Sequence, residues 1–342
     1  MPASDTDNAL SRLLSERDWL LADGATGTEL FNMGLSSGDA PELWNADHPD
    51  RIRKLYQGPV NAGSDLFLTN SFGSNAARLK LHDAQDRVFE LSRLAAEIGR
   101  EVADASGRTI VVAGSMGPTG EIMEPIGSLT HTDAVEMFHE QAAGLKAGGA
   151  DVLWVETISA PEEYKAAAEA ARLAGMPWCG TMSFDTAGRT MMGLTAPQMV
   201  DLVNRLPHPP IAFGANCGVG SSDLLRTVLG YGKPERPVIA KGNAGIPKFH
   251  DGHIHYDGTP ELMADYACLA RDAGARIIGG CCGTTPAHLE KMRAALESRD
   301  PGPKPTLDQI SEKLGGFSSE HDGTGDGGAA PRRTRRGARA RG

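Results

Sequence analysis

Three cysteines at the ends of two apolar segments have the type and spacing for metal chemistry. Cys217 lies in FGANCG, and Cys281 and Cys282 are adjacent in IIGGCCGT. Each segment is β-like and leads through glycine into a helix-like stretch, so all three thiols are expected on one rim of a parallel-strand fold. Zinc held by three thiolates keeps a fourth position open, whereas structural zinc sites are closed and often use CxxC pairs, which this chain lacks. A substrate thiol in that open position would be a nucleophilic thiolate at neutral pH, which indicates alkyl transfer to sulfur.

Two other interpretations of these cysteines remain open at this point. They could be a buried reduced cysteine beside an incidental pair, or a redox-active vicinal disulfide. The remaining cysteines, Cys179 inside an apolar run and Cys268 in ADYACLA, are predicted to be core residues.

The amino-acid composition limits the classes of protein to which this chain can belong. Five irregularly spaced cysteines in 342 residues are too few for a disulfide framework, which favours a reducing, cytoplasmic location. The N-terminus has no basic region followed by an apolar core, and no run approaches the roughly 18 apolar residues of a membrane span. We therefore expect neither a secretory signal nor a membrane partner.

Charge is unevenly distributed along the chain. The net charge is −10, but the last twelve residues contain six arginines and no acid, so the rest carries −16. An acidic body argues against nucleic acid as the main substrate. The basic end follows a Gly- and Ser-rich stretch and is predicted to be a disordered, solubilising tail, with contact to RNA, DNA or an acidic protein as the alternative.

Eight apolar runs alternate with segments of helical periodicity, which predicts an α/β fold of the (β/α)₈ TIM-barrel type. Gly58 and Pro59 are expected to bend or stop the first long helix. The barrel is predicted to occupy residues 1–300 and the low-complexity tail residues 301–342, where only TLDQISEKL has a helical pattern. The runs are 19–23, 65–70, 109–114, 151–156, 177–184, 210–216, 236–242 and 275–280.

Polar turns follow nearly every run, and the first is ADGATGTEL. Asp23 closes the strand, and the backbone N–H groups that follow can cradle a carboxylate. Phosphate is the competing anion, although the loop lacks a P-loop lysine and the dinucleotide spacing. The amides belong to Gly24, Ala25, Thr26, Gly27 and Thr28.

Glu156 ends the fourth run, so its carboxylate could accept an ammonium group, act as a base or cap a helix. Lys241, at the end of the seventh run, would suit an aldolase or lyase, but that class leaves the cysteines unexplained. A loop with His250, His253 and His255 has metal-like spacing, although loop histidines are more often solvated. Five further polar residues are expected at the rim: Asn70, Ser115, Ser183, Asn216 and Asn243.

Six motifs over about residues 10–298 resemble one barrel family, the zinc- and homocysteine-dependent S-methyltransferases. That family includes betaine–homocysteine methyltransferase and the homocysteine-binding module of cobalamin-dependent methionine synthase. The motifs are DGATGTEL, DLFLTNSF, AGSMGPTG, VETISAPEE, GANCG and GGCCGTTPAHL.

The resemblance implies that Cys217, Cys281 and Cys282 bind Zn²⁺ and that homocysteine sulfur takes the fourth position before methylation to methionine. It also implies that Asp23 and Glu156 hold the substrate ammonium and that the amides of Gly24, Ala25, Thr26 and Gly27 hold its carboxylate. Asn216, beside the first cysteine, is counted with the substrate-binding residues.

The methyl donor stays open between two classes. Betaine would need an aromatic cage for its quaternary ammonium, and Trp44 and Asn70 are the candidate donor-binding residues. However, this chain has residues 74–76 (SNA) and 159–161 (SAP) where the betaine enzymes carry aromatic residues. KGNAGIPKF looks closer to the methionine synthase module, which implies a free-standing homocysteine-binding subunit that receives its methyl from a separate corrinoid protein. S-methylmethionine is another small donor, and a homo-oligomer stays open.

Overall fold

Eight parallel strands, one overlapping each predicted run, form a nearly closed barrel in the computed structural model, which describes residues 8–245, 247–250 and 253–324. Neighbouring strands follow the order β1-β10-β7-β6-β5-β4-β3-β2. At the seam between β1 and β2, Asp65 N–H donates to the Leu21 carbonyl at 2.7 Å. The predicted (β/α)₈ fold is confirmed. The barrel strands are β1 Leu20–Leu21, β2 Leu66–Leu68, β3 Val111–Met116, β4 Val152–Ile158, β5 Trp178–Met182, β6 Ala212–Cys217, β7 Val238–Gly242 and β10 Ala275–Gly280.

Helices cover the outside of the barrel, and several begin with a threonine cap followed by proline, as at Thr195, Thr259 and Thr285. An antiparallel hairpin, β8 Pro247–His250 and β9 His253–Tyr256, interrupts the connection after β7. The helices are α1 Ala9–Glu16, α2 Thr26–Asn32, α3 Trp44–Asp47, α4 Pro49–Asn61, α5 Ala76–Leu79, α6 Val88–Ala105, α7 His131–Ala147, α8 Pro161–Ala174, α9 Ala196–Arg205, α10 Ser221–Gly230, α11 Pro260–Asp272, α12 Pro286–Ser298 and α13 Leu307–Leu314. Short 3₁₀ turns lie at Pro41–Leu43, Lys80–His82 and Gln85–Arg87.

A stop of the helix at Gly58 and Pro59 is wrong, because α4 runs through both residues to Asn61. Pro59 lies in the last turn, so the helix continues for only two residues beyond it. Gly58 faces Pro286 of α12, since a Cβ at position 58 would lie 3.0 Å from the Pro286 ring. The glycine therefore allows close approach of two helices.

The barrel interior is filled by alternate side chains of the strands, and Trp154 and Cys179 are fully buried there. A second, larger cluster packs the outer faces of the strands against the helices and includes Cys268 of α11. Both cysteines are core residues, as expected.

Part of the segment after residue 300 is docked on the barrel. Helix α13 packs on α11 and α10. Beyond it, Asp223 of α10 accepts from Ser318 N–H at 2.9 Å, and the Arg226 guanidinium donates to the Ser319 carbonyl at 2.7 Å and lies 4.6 Å from the Phe317 ring centre. Residues 307–319, which fall in the tail predicted to be disordered, are therefore packed on the barrel. The arginine-rich end, residues 331–342, lies outside the described residues, and the boundary near residue 300 stays a prediction.

In the part of the chain that the structure describes, no helix is both long and apolar enough to cross a membrane.

Candidate functional site

A cavity of about 510 Å³ opens at the carboxyl ends of the strands and collects most of the predicted rim residues. A larger groove of about 780 Å³ lies on the outer surface beside α8 and α9, but it is lined mainly by helix side chains such as Lys165 and Arg172 and contains no strand-end residue. In barrels of this type the chemistry takes place at the carboxyl ends, so we take the smaller cavity as the site. Its predicted lining residues are Asp23, Gly24, Ala25, Thr26, Gly27, Thr28, Asn70, Ser115, Glu156, Cys217, Lys241, Cys281 and Cys282.

The three rim cysteines meet in space. The Sγ atoms of Cys217, Cys281 and Cys282 all lie within 4.8 Å of one another, and the Cys217–Cys282 separation is 4.0 Å. Zinc–sulfur bonds of about 2.3 Å in a tetrahedron require sulfur atoms about 3.8 Å apart. The spacing therefore fits a zinc-sized ion, and all three cysteines line the cavity. All five cysteines of the chain are free thiols, so the vicinal disulfide is not formed.

The thiols keep their protons in the absence of a metal. Hydrogen bonding with Cys281 raises the pKa of Cys217 to about 12, and hydrogen bonding with Cys217 raises the pKa of Cys282 to about 11. For Cys281 the bond with Cys217 lowers the pKa, but the bond with Cys282 and burial outweigh it and raise the pKa overall. Metal binding at this cluster must therefore displace protons.

Asn216 holds the first cysteine and the turn after β4 together. Its Oδ1 accepts from Thr157 N–H at 2.9 Å and from Thr181 Oγ1 at 2.7 Å, and its Nδ2 donates to Thr157 Oγ1 at 2.8 Å. The side chain is almost fully buried and is not among the residues that line the cavity. The substrate contact at Asn216 stays a prediction, and in the structure its side chain bonds Thr157.

Residues 243 and 244 hold Cys282. The Cys282 amide donates to Asn243 Oδ1 at 3.1 Å, and its carbonyl accepts from Ala244 N–H at 2.9 Å. Tyr256, from β9, packs on the adjacent Gly283, where a Cβ would lie 2.4 Å from the tyrosine Cβ. Local sequence pattern does not predict Tyr256 as a residue of this site, because its position depends on the β8–β9 hairpin. The side chains of His250, His253 and His255 lie outside the described residues.

Asp23, Lys241 and Glu156 form a buried charged group on the wall of the cavity. The Lys241 ammonium pairs with Asp23 Oδ1, while Asp23 Oδ2 accepts from Leu68 N–H at 2.9 Å. Glu156 Oε1 accepts from the Ser115 hydroxyl at 2.5 Å. Both Asp23 oxygens thus already have partners within the protein, whereas the second oxygen of Glu156 has no hydrogen-bond partner among the residues that the structure describes.

The electrostatics of this group explain its protonation. Burial alone would lower the pKa of Lys241, but the carboxylates of Asp23 and Glu156 outweigh it and raise the pKa. Burial raises the pKa of Glu156, and Lys241 and Ser115 offset part of that rise. A lysine held protonated in an ion pair is not the neutral amine that an aldolase needs, so that alternative finds no support.

The loop after β1 approaches the cysteine loop closely. A Cβ on Gly24 would lie 2.4 Å from the Thr284 carbonyl oxygen, so only glycine fits there. The Ala25 amide donates to that same carbonyl at 2.9 Å. The Ala25 N–H is therefore already paired within the protein. Of the amides predicted to bind a carboxylate, those of Gly24, Thr26, Gly27 and Thr28 remain.

The two candidate donor-binding residues have different positions. Trp44 is not among the cavity-lining residues: its buried ring packs edge-on against His48 and lies 4.7 Å from the Arg51 guanidinium carbon. Asn70 does line the cavity, but its Nδ2 donates to the Pro41 carbonyl and to Asn45 Oδ1. A cage wall at Trp44 is therefore not what the structure shows, because the ring is packed inside the α3–α4 region.

The chain matches a known protein family over most of its length. The model of the homocysteine S-methyltransferase family matches residues 20–296, which include all three cysteines, Asp23 and Glu156. The chain belongs to the homocysteine S-methyltransferase family. It is therefore a member of a family of methyltransferases.

Several relatives of this homocysteine S-methyltransferase family member are methionine synthases. The chain is 32% identical over 309 residues to methionine synthase of Mycobacterium tuberculosis, covering 85% of this chain and 25% of the relative. It is 30% identical over 318 residues to the Mycobacterium leprae enzyme, covering 88% and 26%. The chain thus spans about a quarter of the length of these relatives.

Solved structures of a homocysteine methyltransferase match over their full length. The apo form of MmuM from Escherichia coli superposes with a TM-score of 0.66 at 26% identity, covering 84% of this chain and 100% of that one. The metallated form of MmuM gives a TM-score of 0.68 at 27% identity, with coverage of 84% and 99%. The fold of this family member is therefore shared with an enzyme that has been solved in a metallated state.

Proposed function

We propose that this chain methylates homocysteine to methionine, with the substrate sulfur bound to a zinc ion held by Cys217, Cys281 and Cys282. The observation that carries the proposal is the convergence of the three sulfurs, within 4.8 Å, on a cavity that also contains Glu156. The Glu156 carboxylate suits the ammonium group of homocysteine, and a metal held by the three thiols suits its sulfur. Family membership and the metallated relative support the same assignment.

Zinc, when bound, would supply the Lewis acidity that keeps the substrate thiol deprotonated at neutral pH. The thiolate lone pair then forms the new S–CH₃ bond, while the bond between methyl and donor breaks and its electron pair leaves with the donor. Binding in the cavity orients the thiolate for in-line attack.

Substrate recognition is divided between Glu156 and the loop after β1. We assign the ammonium to Glu156, because Asp23 is paired with Lys241 and acts through it. Asp23, Lys241 and Glu156 together carry a charge of −1, which one substrate ammonium neutralises. The carboxylate is assigned to the amides of Gly24, Thr26 and Gly27, at the N-terminus of α2.

The lining of the cavity bears on the methyl donor. Among the described residues that line the cavity, Phe72 is the one Phe, Tyr or Trp side chain. The Arg78 guanidinium carbon lies 5.6 Å from the centre of its ring. A quaternary ammonium is held best by several aromatic faces and is repelled by a neighbouring cation. Betaine therefore has weak support as the donor.

A corrinoid protein is the second candidate donor. It is favoured by the similarity to one quarter of two methionine synthases, which would make this chain the homocysteine-binding unit of a larger or split system. The cytoplasm remains the expected location, since the site requires reduced cysteines.

The test is methionine formation by the purified, zinc-loaded protein. Homocysteine is incubated separately with methyl-labelled betaine, S-methylmethionine and a methylcorrinoid protein, and labelled methionine is measured by mass spectrometry. Label from any one of these donors supports the proposal and identifies the donor class. No label from all three, with homocysteine not bound to the loaded protein, contradicts it.

A further inference from the structure

A segment near the C-terminus, residues 315–323, crosses the first turn of α10 and is called the C-terminal strap below. The Gly315 carbonyl accepts from Ser222 Oγ at 2.7 Å. The Ser318 N–H donates to Asp223 Oδ2 at 2.9 Å. Two neighbouring side chains of α10 therefore hold the backbone of the strap.

A buried ion pair of α10 contacts the strap as well. The Arg226 guanidinium donates to Asp223 Oδ1 at 2.6 Å and to the Ser319 carbonyl at 2.7 Å, and it lies 4.6 Å from the Phe317 ring centre. Asp223 and Arg226 are only 7% and 8% exposed. Because a buried polar group is costly to leave without its partner, the docked strap is a defined part of the native fold.

The far end of the strap lies on the loop between β5 and α9. Asp322 and Gly323 pack against Gly188 of that loop, where a Cβ would overlap the Asp322 carbonyl. The loop follows the carboxyl end of a barrel strand, so it belongs to the rim that carries the cavity. The strap therefore joins the start of α10 to a second loop of the same rim.

The first turn of α10 is also bonded to the backbone at two of the cysteines. Ser221 Oγ donates to the Asn243 carbonyl at 2.7 Å. The Asn243 side chain then donates to the Gly218 carbonyl at 2.9 Å and accepts from Cys282 N–H at 3.1 Å. Gly218 directly follows Cys217. The strap and the backbone of two cysteine turns are thus bonded to adjacent residues of α10.

The backbone at Cys217 depends on such support. Cys217 has a φ of +60° and Gly218 a φ of +72°. A non-glycine residue in the left-handed region persists only where the surrounding structure holds it there. Contacts that fix the start of α10, three residues after Gly218, therefore contribute to the position of the Cys217 sulfur.

Resting on the proposed function, we propose that the C-terminal strap is a positioning element of the metal site. When docked, it fixes the first turn of α10, and through Ser221 and Asn243 it keeps Cys217 and Cys282 at the spacing that zinc requires. The family model ends at residue 296, so the strap lies outside the part of the chain that family membership explains. Release of the strap would loosen two ligands at once and speed the loss of zinc.

The experiment measures zinc release from the full-length, zinc-loaded chain to a chromophoric chelator in excess. The wild type is compared with Phe317→Ala, which removes the ring that packs on Arg226. The control is Ile98→Ala in α6, a truncation in a different core cluster, which lowers stability without touching the strap. Denaturant unfolding of each protein records the loss of stability beside the rate of release.

We expect Phe317→Ala to release zinc about three- to tenfold faster than the wild type. Loss of a group that directly supports a metal ligand typically lowers metal affinity 10- to 100-fold, and the strap acts one layer further out. Ile98→Ala should release zinc at the wild-type rate. An unchanged rate in Phe317→Ala overturns the inference, and an equal acceleration in Ile98→Ala also overturns it, since that result reports general destabilisation.

A second variant tests the path through α10. Ser222→Ala removes the bond to the Gly315 carbonyl and should also speed zinc release. Because both substitutions act on docking of the same strap, the double variant with Phe317→Ala should show less than the product of the two single effects. Effects that multiply in full would show that Phe317 acts independently of α10 and would contradict the path.

Zinc content, measured before release, separates this inference from the proposed function. A wild-type chain that binds no zinc contradicts the proposed function itself. A wild-type chain with a full equivalent of zinc, together with an unchanged release rate in Phe317→Ala, contradicts only the role of the strap.

Discussion

Asn216 and Thr157 bond each other reciprocally: Asn216 Oδ1 accepts from Thr157 N–H at 2.9 Å, and Asn216 Nδ2 donates to Thr157 Oγ1 at 2.8 Å. Thr157 directly follows Glu156, and Asn216 directly precedes Cys217. Both Thr157 and Cys217 have positive φ values, +61° and +60°, which are unfavourable for residues with a Cβ. One pair of side chains therefore ties the turn that carries the substrate carboxylate to the turn that carries a metal ligand.

Replacing Asn216 should separate these two turns. Asn216→Ala removes both bonds to Thr157 and the bond from Thr181, so we expect kcat/KM for homocysteine to fall about 10- to 100-fold, with Glu156 and Cys217 no longer held in register. Asn32→Ala, at an exposed asparagine on α2, is the control and should leave kcat/KM unchanged. Steady-state kinetics with zinc content measured on the same samples provides the check. Wild-type kinetics in Asn216→Ala would show that the pairing is dispensable.

The Lys241–Asp23 pair should contribute strongly to stability once either partner is lost. Both side chains are almost fully buried, so Lys241→Met leaves Asp23 as an uncompensated charge at a cost of about 3–5 kcal/mol. The double variant Lys241→Met with Asp23→Asn removes both charges and should recover part of that loss. Denaturant unfolding of the wild type and the two variants measures this. A double variant less stable than Lys241→Met alone would contradict the pairing.

Protonation of Glu156 should weaken homocysteine binding at low pH. Only the carboxylate attracts an ammonium, and burial raises the pKa of Glu156 above its ordinary value of 4.5. Homocysteine affinity should therefore increase as pH rises through that higher pKa and be lost below it. Glu156→Gln should bind about 10- to 100-fold more weakly at neutral pH, as expected for one hydrogen bond to a charged group, and should lack the acid limb.

Calorimetric titration with homocysteine from pH 5 to pH 8 measures this dependence, with zinc saturation verified at each pH. Glu162→Gln, at an exposed carboxylate in the first turn of α8, is the matched control. An acid limb that persists unchanged in Glu156→Gln would assign it to another group.

The metal ligands should be separable from the core cysteines. Cys281→Ala removes one of three converging sulfurs, so we expect loss of bound zinc and of activity. Cys268→Ala, in α11, should retain both, with a modest loss of stability from the cavity left in the helix layer. Zinc content by mass spectrometry distinguishes the two. A full equivalent of zinc in Cys281→Ala would contradict the assignment.

The sequence was sufficient for the barrel and for the cysteine cluster. Apolar β-branched runs mark buried parallel strands, and such strands all present their carboxyl ends on one rim, so Cys217 and the pair at 281 and 282 could be predicted to meet. The three Sγ atoms lie within 4.8 Å of one another.

Contacts between residues that are distant in sequence could not be predicted from the local sequence pattern. The ion pair of Lys241 with Asp23 joins two residues that are 218 positions apart in sequence, so no local pattern could predict it. Tyr256 was missed because its contact depends on how a hairpin folds back over Gly283. Trp44 was expected near the donor because it follows the first barrel turn, but α3 and α4 bury its ring instead.

The most direct test is the X-ray absorption spectrum at the zinc edge, recorded for the zinc-loaded protein with and without homocysteine. We expect three sulfur neighbours at about 2.3 Å and one lighter atom without substrate, and four sulfur neighbours once homocysteine is added. A shell that stays at three sulfurs with saturating homocysteine would contradict binding of the substrate thiolate to the metal.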